Sequence, residues 1–362
     1  MDRQSPCQGN ALHPLSGRLF WRGAGPAAVI LPGLKRLAGA GAALRLLRPR
    51  RRRACCRNRH GETVKIGVLI PTYNRRETLL RTIRAILDQE YPLTDLTLTV
   101  LDDAGSDCSC AVLEPLRAEA LARGMTGFTL LRNSANKGIA YNRFRLTKES
   151  GPAEALLYLD DDVYVQKDTI AGLVGCLARN PGCALVGPRL VYASDPDRTA
   201  HCANFIGRWD GRYSETDPDE EMDCDWLNSS CFLARAAAAA VVTHAELFYT
   251  AHEEVDFCLQ LKKAGWRVRY CPSVKAAHDL PLSGGSRRGR LYYLYRNKLL
   301  LFERNFPPVR RLTASIVTVF LGLPLYFLES IKTNRGVNLK ELRLILKAVF
   351  DGLIGRGGPL SS

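Results

Sequence analysis

One cluster of carboxylates in this sequence has the spacing of a cation site. Asp160 ends the apolar stretch ALLYLD, which is typical of a buried strand, and Asp161 and Asp162 follow directly. Adjacent carboxylates repel one another unless a cation lies among them. Alternate residues of an extended chain face the same side, so Asp160 and Asp162 can share one ion. Mg²⁺ or Mn²⁺ fits, since such ions bind few carboxylates and complete their shell with water and phosphate oxygens. A solvated acidic turn is the alternative.

Glu253, Glu254 and Asp256 form a second acidic group, in the segment HEEVDFCLQLKKAGW. The run up to Gly265 predicts a short helix, and the helix dipole favours acids at its N-terminus. Charging of a helix end is therefore the alternative to a role in proton transfer. His278 follows the predicted strand VRYCP and, taken alone, is typical of a structural histidine.

The elements around these residues alternate between strand and helix. Apolar stretches predict strands at residues 64–70, 96–101, 127–132, 155–160 and 183–188, with helical spacing between them. This alternation is typical of a parallel sheet with right-handed crossovers. Ligands of such sheets bind beyond the carboxyl ends of the strands. Polar clusters fall at three of those ends: Thr72-Tyr73-Asn74, Asp102-Asp103 and Asp160-Asp161-Asp162.

Two phosphate-binding motifs are absent from the sequence. No GxGxxG follows the first predicted strand, and no GxxxxGK[ST] occurs anywhere. The sequence therefore does not support a dinucleotide-binding turn or a P-loop. A metal ion held by carboxylates is the natural candidate for binding phosphates here.

The net charge of +15 is concentrated at the two ends of the chain. Residues 1–60 carry +12 and residues 287–362 carry +10, which leaves −7 on residues 61–286. An acidic centre argues against a nucleic-acid groove in the central domain, whereas basic flanks suit an anionic membrane surface. Nucleic-acid binding through Arg50–Arg53 stays an alternative that is confined to the N-terminal tail.

The cysteines of the chain show no metal-binding pattern. None of the 12 forms a CxxC pair, and no zinc spacing follows the close pairs Cys55/Cys56 and Cys108/Cys110. Others, such as Cys176, Cys231 and Cys258, lie in apolar stretches. We interpret these as buried free thiols in a reducing compartment.

The C-terminal sequence predicts contact with a membrane. Residues 312–328 carry no charge, are at the lower limit of length for a bilayer span, and contain Pro324, which is expected to kink a helix. Residues 338–356 form a basic amphipathic pattern typical of a helix in a membrane interface. Packing on the protein itself or on a second subunit is the alternative. Residues 1–60 are interpreted as a disordered tail, or else as a basic membrane-contact arm.

The order of these motifs resembles the family 2 glycosyltransferases, which have the GT-A fold. The motifs are Pro71-Thr72-Tyr73-Asn74, Asp102-Asp103, Asn136-Lys137-Gly138, Asp160-Asp161-Asp162, Glu253-Glu254-Val255-Asp256 and His278. The run YLYRNKLLL and the ending DGLIGRGG are similar to bacterial rhamnosyltransferase and galactofuranosyltransferase members. The resemblance covers residues 64–300 well, the C-terminal tail more loosely and none of residues 1–60.

The resemblance implies a role for each matching residue. Nucleotide and sugar binding is implied for Pro71, Tyr73, Asn74, Asp102, Asp103, Asn136, Gly138, Asp161 and Trp226. Binding of Mg²⁺ or Mn²⁺ is implied for Asp160, Asp162 and His278. Glu254 matches the catalytic base, which is usually Asp in this family, and Glu253 and Asp256 are its neighbours. The stretch after Gly138 departs from the family's Ala-Arg-Asn pattern, which weakens any role for Arg143.

The expected fold is an α/β, GT-A fold with a mostly parallel, Rossmann-like sheet flanked by helices and a C-terminal helical, membrane-associated segment. The predicted divisions are an N-terminal extension over residues 1–60, a glycosyltransferase domain over 61–300 and C-terminal helices over 301–362.

The expected reaction is transfer of a sugar, with inversion, to a hydroxyl of a glycan or glycolipid in cell-surface polysaccharide synthesis. The donor is a nucleotide sugar of the dTDP-rhamnose or UDP-sugar type. The expected location is the cytoplasmic face of the cell membrane, with a homo-oligomer as one possible assembly. A catalytically inactive binding protein is one alternative. A nucleotidyltransferase is another, but it needs a basic, Gly-rich loop where this chain has residues 71–74.

Overall fold

The computed structural model describes residues 63–107, 109–242, 244–280, 287–324, 327–328 and 339–360. The predicted N-terminal extension, residues 1–60, lies outside these ranges, as do Cys55, Cys56 and Cys108.

Strands and helices alternate through the first part of the described chain, as the sequence predicts. The strands are β1 (Ile66–Thr72), β2 (Leu96–Asp102), β3 (Gly127–Arg132), β4 (Ala155–Leu159), β5 (Val163–Val165), β6 (Cys183–Tyr192), β7 (Asp195–His201), β8 (Ala203–Ile206), β9 (Tyr213–Thr216), β10 (Met222–Cys224), β11 (Cys231–Arg235) and β12 (Arg267–His278). The helices are α1 (Arg76–Leu87), α2 (Ser109–Ala122), α3 (Ile139–Lys148), α4 (Thr169–Arg179), α5 (Ala236–Val241), α6 (Glu253–Lys263), α7 (Arg287–Asn305), α8 (Pro308–Ile316) and α9 (Leu339–Leu353). The domain boundary expected at residue 300 falls inside α7.

The main sheet is mixed. Its order is β10-β12-β6-β11-β4-β1-β2-β3, with β5 paired to β12 and β7 to β6. β1 is parallel to β2 and β4, and β2 is parallel to β3, as predicted. β11 runs antiparallel to both of its neighbours, β4 and β6, so the prediction of a mostly parallel sheet was wrong. The reason is that β11 returns to the sheet from the β7–β10 excursion without a crossover helix, which parallel pairing requires.

Helices cover both faces of this sheet and divide the core into two layers. On one face α1, α2 and α4 pack against the strands through Leu79, Leu113 and Leu173. On the other face α3, α5 and α6 do so through Leu146, Ala238 and Phe257. Because both faces are covered, the central strands are buried and read as continuous apolar runs.

The long strand β12 brings a distant histidine to the aspartate cluster. It pairs in parallel with β6 up to His278, with a register shift between Cys271 and Lys275, and its last three residues also pair antiparallel with β5, in the register His278↔Val163. The backbone N–H of Asp279 donates to the carbonyl of Asp162 at 2.8 Å. His278 therefore lies beside the residues that follow β4, although more than a hundred positions separate them in the chain.

Asp256 joins α6 to α7. It is fully buried, and one of its oxygens accepts from Asn305 Nδ2 at 2.6 Å and from Arg304 Nε at 3.1 Å. Its other oxygen accepts from Arg304 Nη2 at 3.2 Å. Contacts with α7 thus occupy both oxygens of this carboxylate, and the role implied for it beside the catalytic base stays a prediction.

The cysteine interpretation holds only in part. Cys231 and Cys258 are buried free thiols, as predicted. Cys176 of α4 is instead joined to Cys271 of β12 by a disulfide, which corrects the prediction for this residue. The two residues are 95 positions apart, and their proximity follows from the packing of α4 on the sheet, which local composition does not reveal.

The C-terminal helices pack on α7 and leave an apolar surface exposed. Leu323, from the segment after α8, and Ile345 of α9 belong to one buried apolar cluster with Leu291 of α7. After α8 the backbone forms a π-helix over Val317–Gly322, directly before Pro324, whose ring disfavours a regular α-helical turn. No helix in the described ranges is long and apolar enough to cross a bilayer.

Candidate active site

The polar ends of β1, β2 and β4 meet at one edge of the sheet. Thr72 is opposite Asp102 in the parallel register of β1 and β2. The Thr72 hydroxyl donates to Asp161 Oδ2 at 2.7 Å and so links the end of β1 to the cluster after β4. The strand ends that the sequence singles out therefore meet at one edge of the sheet.

Asp102 and Asp103 are buried, and their carboxylates accept hydrogen bonds from the backbone of the loops at this edge. Asp102 accepts from the backbone N–H of Gly105 at 2.8 Å and pairs with Arg132 at 2.6 Å. Asp103 accepts from Asn133 Nδ2 at 2.6 Å and, through both oxygens, from the backbone N–H groups of residues 137 and 138. These buried carboxylates therefore shape the loops of this edge by holding their backbone. A side chain at position 105 would meet Asp102 Oδ1 at 2.9 Å, so the turn needs glycine.

The segment before α6 is strained and lies against the Gly138 turn. Tyr249, Ala251 and His252 have φ of 58°, 64° and 68°, values that residues with a Cβ rarely adopt. The Tyr249 hydroxyl donates to Asn136 Oδ1 at 2.6 Å, and a Cβ on Gly138 would collide with the Tyr249 carbonyl. Strain of this kind concentrates at functional sites. Here it fixes the direction in which α6 presents its first two glutamates.

Arg143 of α3 connects the two acidic clusters. Its side chain is only 3% exposed, and it pairs with Asp160 at 2.6 Å and with Glu253 at 2.5 Å. A buried guanidinium is stable only when its charge is matched, and two carboxylates do this here. The resemblance of the sequence motifs gives Arg143 no firm role. No local pattern in α3 indicates that this arginine bridges two distant segments.

Glu254 is the glutamate of this group that forms no ion pair with Arg143. Among the described residues Glu253 and Glu254 each have a solvent-shielded Oε2 without a hydrogen-bond partner, but Oε1 of Glu253 is paired with Arg143. Burial, and then the charge of Glu253, raise the pKa of Glu254 to about 8. Burial also raises the pKa of Glu253, while the charge of Arg143 opposes this. A carboxyl with such a pKa is suited to accept a proton near neutral pH.

Asp161 and Asp162 have different environments. Burial raises the pKa of Asp161 to about 7, against the opposing effects of Arg75 and Thr72. Burial would also raise the pKa of Asp162, but the hydrogen bond and charge of His278 and the charge of Arg75 outweigh it, and the pKa is lowered. His278 Nε2 lies 3.2 Å from Asp162 Oδ1. Asp162 is therefore more fully ionised than Asp161 at neutral pH.

The residues predicted to bind a metal ion are only partly brought together. Asp162 and His278 are in contact, while Asp160 is turned to Arg143. Within the described ranges, the only three potential ligands that lie within 4.8 Å of one another are Cys176, Glu221 and Cys271, and the two sulfurs are already bonded to each other.

The set at Asp162 nevertheless fits a divalent cation. The cation Arg75 is already drawn to one oxygen of Asp162, and the donors are the carboxylate and imidazole groups that Mn²⁺ accepts. Mg²⁺ and Mn²⁺ bound with a nucleotide use one or two protein carboxylates and take further oxygens from phosphate. Two protein ligands are therefore enough at such a site.

An aromatic pair lies beside the glutamates. Trp226 and Tyr213 have ring centroids 5.3 Å apart, and Tyr213 is also 5.6 Å from the ring of His252. In the described part of the chain, the Trp226 Nε1–H and the Tyr213 hydroxyl are shielded from solvent and have no hydrogen-bond partner. The sequence predicted Trp226 but missed Tyr213, which lies on the short ribbon strand β9 outside the family's motifs.

Three further predicted residues lie at the end of β1 and in the loop that follows it. Tyr73 is exposed on the loop after β1, where an aromatic face is available to a base. Pro71 is buried within β1, opposite Leu101, and Asn74 accepts from the backbone N–H of Ser106 at 2.6 Å. Asn74 thus closes the first loop onto the second. The site extends from Tyr73 at its rim to Glu254 at the start of α6.

Comparison with known proteins identifies the central part of the chain. Residues 67–239 match the model of the family described as Glycosyl transferase family 2. Pre-mycofactocin glycosyltransferase of Mycobacterium tuberculosis is 25% identical over 221 residues, which are 59% of this chain and 42% of the relative. Poly(ribitol-phosphate) beta-N-acetylglucosaminyltransferase TarS of Staphylococcus aureus is 25% identical over 107 residues, which are 30% of this chain and 18% of the relative. The chain thus spans less than half the length of these relatives.

Solved structures share the fold. TarS residues 1–349 of S. aureus in complex with UDP-GlcNAc align with a TM-score of 0.54 and 17% identity, over 81% of each chain. The mannosyltransferase PcManGT of Pyrobaculum calidifontis, in complex with GDP-Man and Mn²⁺, aligns with a TM-score of 0.52 and 16% identity, over 80% of each chain. These likenesses indicate a GT-A-like α/β fold. The family match makes residues 67–239 of this chain similar to the family 2 glycosyltransferases.

Proposed function

We propose that this protein transfers a sugar from a nucleotide sugar to an acceptor hydroxyl by a single displacement that inverts the anomeric carbon, with Glu254 as the base. The observation that carries the proposal is the buried, unpartnered Oε2 of Glu254 among the described residues, on a carboxyl whose pKa is raised to about 8. A base in this position takes the proton of the acceptor hydroxyl as the new bond forms. General base catalysis contributes about 10²–10⁴ in rate.

The surroundings of Glu254 support a base and not a nucleophile. Its neighbour Glu253 is neutralised by Arg143 at 2.5 Å, which leaves one carboxylate available for the reaction. A double displacement needs one carboxylate as the nucleophile and a second group as acid and base. A single displacement needs only the base and stabilisation of the leaving diphosphate, and the present arrangement supplies these.

Asp162 and His278 are the residues that we propose to hold a divalent metal ion, together with the phosphates of the donor. Such an ion, Mg²⁺ or Mn²⁺, supplies Lewis-acid stabilisation of the charge that develops on the leaving diphosphate. Asp160, the third ligand implied by the sequence, is paired with Arg143. We propose that it contributes negative charge near the metal ion without binding it directly. The Mn²⁺ in the PcManGT complex, which shares the fold, supports this assignment.

The donor that we favour is a UDP-sugar, because TarS, which shares the fold, was solved with UDP-GlcNAc. The rhamnosyl and galactofuranosyl likeness of the C-terminal motifs stays a prediction. Tyr73 and the loops held by Asp102 and Asp103 are assigned to the nucleotide. Trp226 and Tyr213 are assigned to the sugar and acceptor. The catalytic region is proposed to extend over residues 61–300, because Glu254 and His278 lie beyond the family match.

The acceptor class that we propose is a hydroxyl of a glycan or glycolipid made at the cell surface. Support comes from the name of TarS, which acts on poly(ribitol-phosphate). We also propose that the protein works at the cytoplasmic face of the membrane, as a peripheral protein. Exposed apolar side chains near the C-terminus support the proposal of membrane binding, and we name them the C-terminal apolar face: Val309, Leu312, Ile316, Phe320, Leu321, Leu346, Phe350 and Leu353.

Glu254→Gln is expected to lower the release of nucleoside diphosphate from UDP-sugars by about 10²-fold or more, because the amide cannot accept the proton of the acceptor. Binding of UDP, measured by calorimetry, should change little. Glu246→Gln, an exposed change just upstream, is the matched control and should retain full activity. Equal activity of the Glu254→Gln and Glu246→Gln variants would show that Glu254 is not the catalytic base.

The rate should rise with pH through about 8, where Glu254 is half ionised, and level off above it, because only ionised Glu254 acts as a base and its raised pKa keeps it mostly protonated at pH 7. Glu253→Gln removes the neighbouring negative charge and leaves Arg143 positive. Both effects favour the ionised form, so the rising limb of the pH–rate profile should move to lower pH. A limb that stays in place, or moves to higher pH, would contradict this coupling.

Leu346→Ser combined with Phe350→Ser is expected to weaken binding to vesicles of phosphatidylcholine and phosphatidylglycerol by about tenfold or more, since two exposed apolar side chains of α9 are lost. Binding of the unchanged protein should also fall when phosphatidylglycerol is omitted, because exposed Arg311 and Arg343 flank the apolar face. Co-sedimentation measures both effects. Leu121→Ser, an exposed change on α2, is the control and should bind vesicles as well as the unchanged protein does. If Leu121→Ser and the Leu346/Phe350 variant bound vesicles equally well, the proposed surface would be refuted.

A further inference from the structure

Arg75 neutralises the aspartate cluster from the outside. It precedes α1, and its Nη1 forms an ion pair with Asp162 Oδ2 and lies 3.5 Å from Asp161 Oδ1. The charges of both aspartates raise the pKa of Arg75, although burial lowers it. Its side chain is 53% exposed, whereas those of Asp161 and Asp162 are 8% exposed.

The other partners of these carboxylates are fixed in the fold. Thr72, which donates to Asp161, is buried at the end of β1. His278, 3.2 Å from the other oxygen of Asp162, is buried at the end of β12. Arg75 is the long, half-exposed member of this group, and it can turn away without disturbing a strand.

A divalent cation and Arg75 compete for the same oxygens. Both need the lone pairs of Asp162, and two cations in contact with one carboxylate repel each other. The aspartates thus have a partner already when a metal ion arrives, and metal binding includes the loss of the ion pair with Arg75.

We propose that Arg75 is an exchangeable counter-ion that makes the binding of metal ion and nucleoside diphosphate cooperative. The metal ion displaces the guanidinium from Asp162, and the diphosphate then accepts it. This rests on the proposed function, because it takes the nucleotide-sugar site to be the edge described above. A guanidinium binds phosphate oxygens well through paired N–H groups, and Arg75 follows directly after Tyr73 and Asn74 on the nucleotide side.

The cooperativity follows from the partners that the Arg75 guanidinium has with and without nucleotide. Without nucleotide, the displaced guanidinium returns to water and its ion pair is lost. With nucleotide, the guanidinium gains the diphosphate as a new partner, so the metal ion binds more tightly. By linkage, the metal ion strengthens binding of the diphosphate by the same factor.

The test is calorimetric titration of Mn²⁺ into the full chain, first alone and then with saturating UDP, with a parallel series using GDP. Arg75→Gln removes the competing cation. Arg76→Gln removes the same charge one residue later, where the side chain is exposed and pairs only weakly with Glu77 at 3.3 Å, and it is the matched control.

Arg75→Gln is expected to bind Mn²⁺ alone about two- to fivefold more tightly than the unchanged protein, the range for an exposed ion pair. The gain in Mn²⁺ affinity on adding the nucleotide should shrink in this variant. Arg76→Gln should match the unchanged protein in both titrations. The exposure of Arg75 means that melting temperature should be preserved, and this is measured alongside.

Three results would overturn the inference. Arg75→Gln could bind Mn²⁺ alone no more tightly than the unchanged protein, it could keep the full gain on adding nucleotide, or it could be indistinguishable from Arg76→Gln. If the unchanged protein bound Mn²⁺ and nucleotide normally, the proposed function would survive these results. If the unchanged, folded protein bound neither, the proposed function would fall and this inference with it.

Discussion

The ion pairs of Arg143 with Asp160 and Glu253 join the two halves of the site. α3 supplies the arginine, the end of β4 supplies one carboxylate and the start of α6 supplies the other. Removing a buried charge's partner costs about 3–5 kcal/mol, so the three elements hold their relative positions. The same contact keeps Glu253 from serving as a second free carboxylate. The division of labour that we propose between Glu254 and the aspartates therefore depends on Arg143.

Much of this edge could be predicted from the sequence because its polar residues directly follow apolar strands. The ends of β1, β2 and β4 meet as expected, since parallel strands bring their carboxyl ends together. Asp256 shows where such patterns stop being informative. An acid in the first turn of a helix has the same composition whether it faces a substrate or, as here, Arg304 on a neighbouring helix.

The remaining features depend on contacts between distant segments. His278 reaches Asp162 through the register of β5 with β12, and Cys176 reaches Cys271 through the packing of α4. Arg143, Arg75 and Tyr213 belong to no motif that single-sequence patterns select. The antiparallel entry of β11 was likewise unpredictable, because a five-residue apolar strand has no pattern that encodes its direction. Long-range register, and not local composition, decides these cases.

The central claim is that the aspartate edge binds a nucleotide through a divalent metal ion. Calorimetric titration of UDP, dTDP, GDP and CDP into the protein with Mn²⁺, and again with EDTA, tests it most directly. The account predicts that one nucleotide binds, that EDTA abolishes the binding, and that Asp162→Asn weakens it while Asp168→Asn, an exposed change nearby, does not. Binding of no nucleotide by the folded protein with Mn²⁺ present, or binding indifferent to EDTA and to Asp162→Asn, would contradict it.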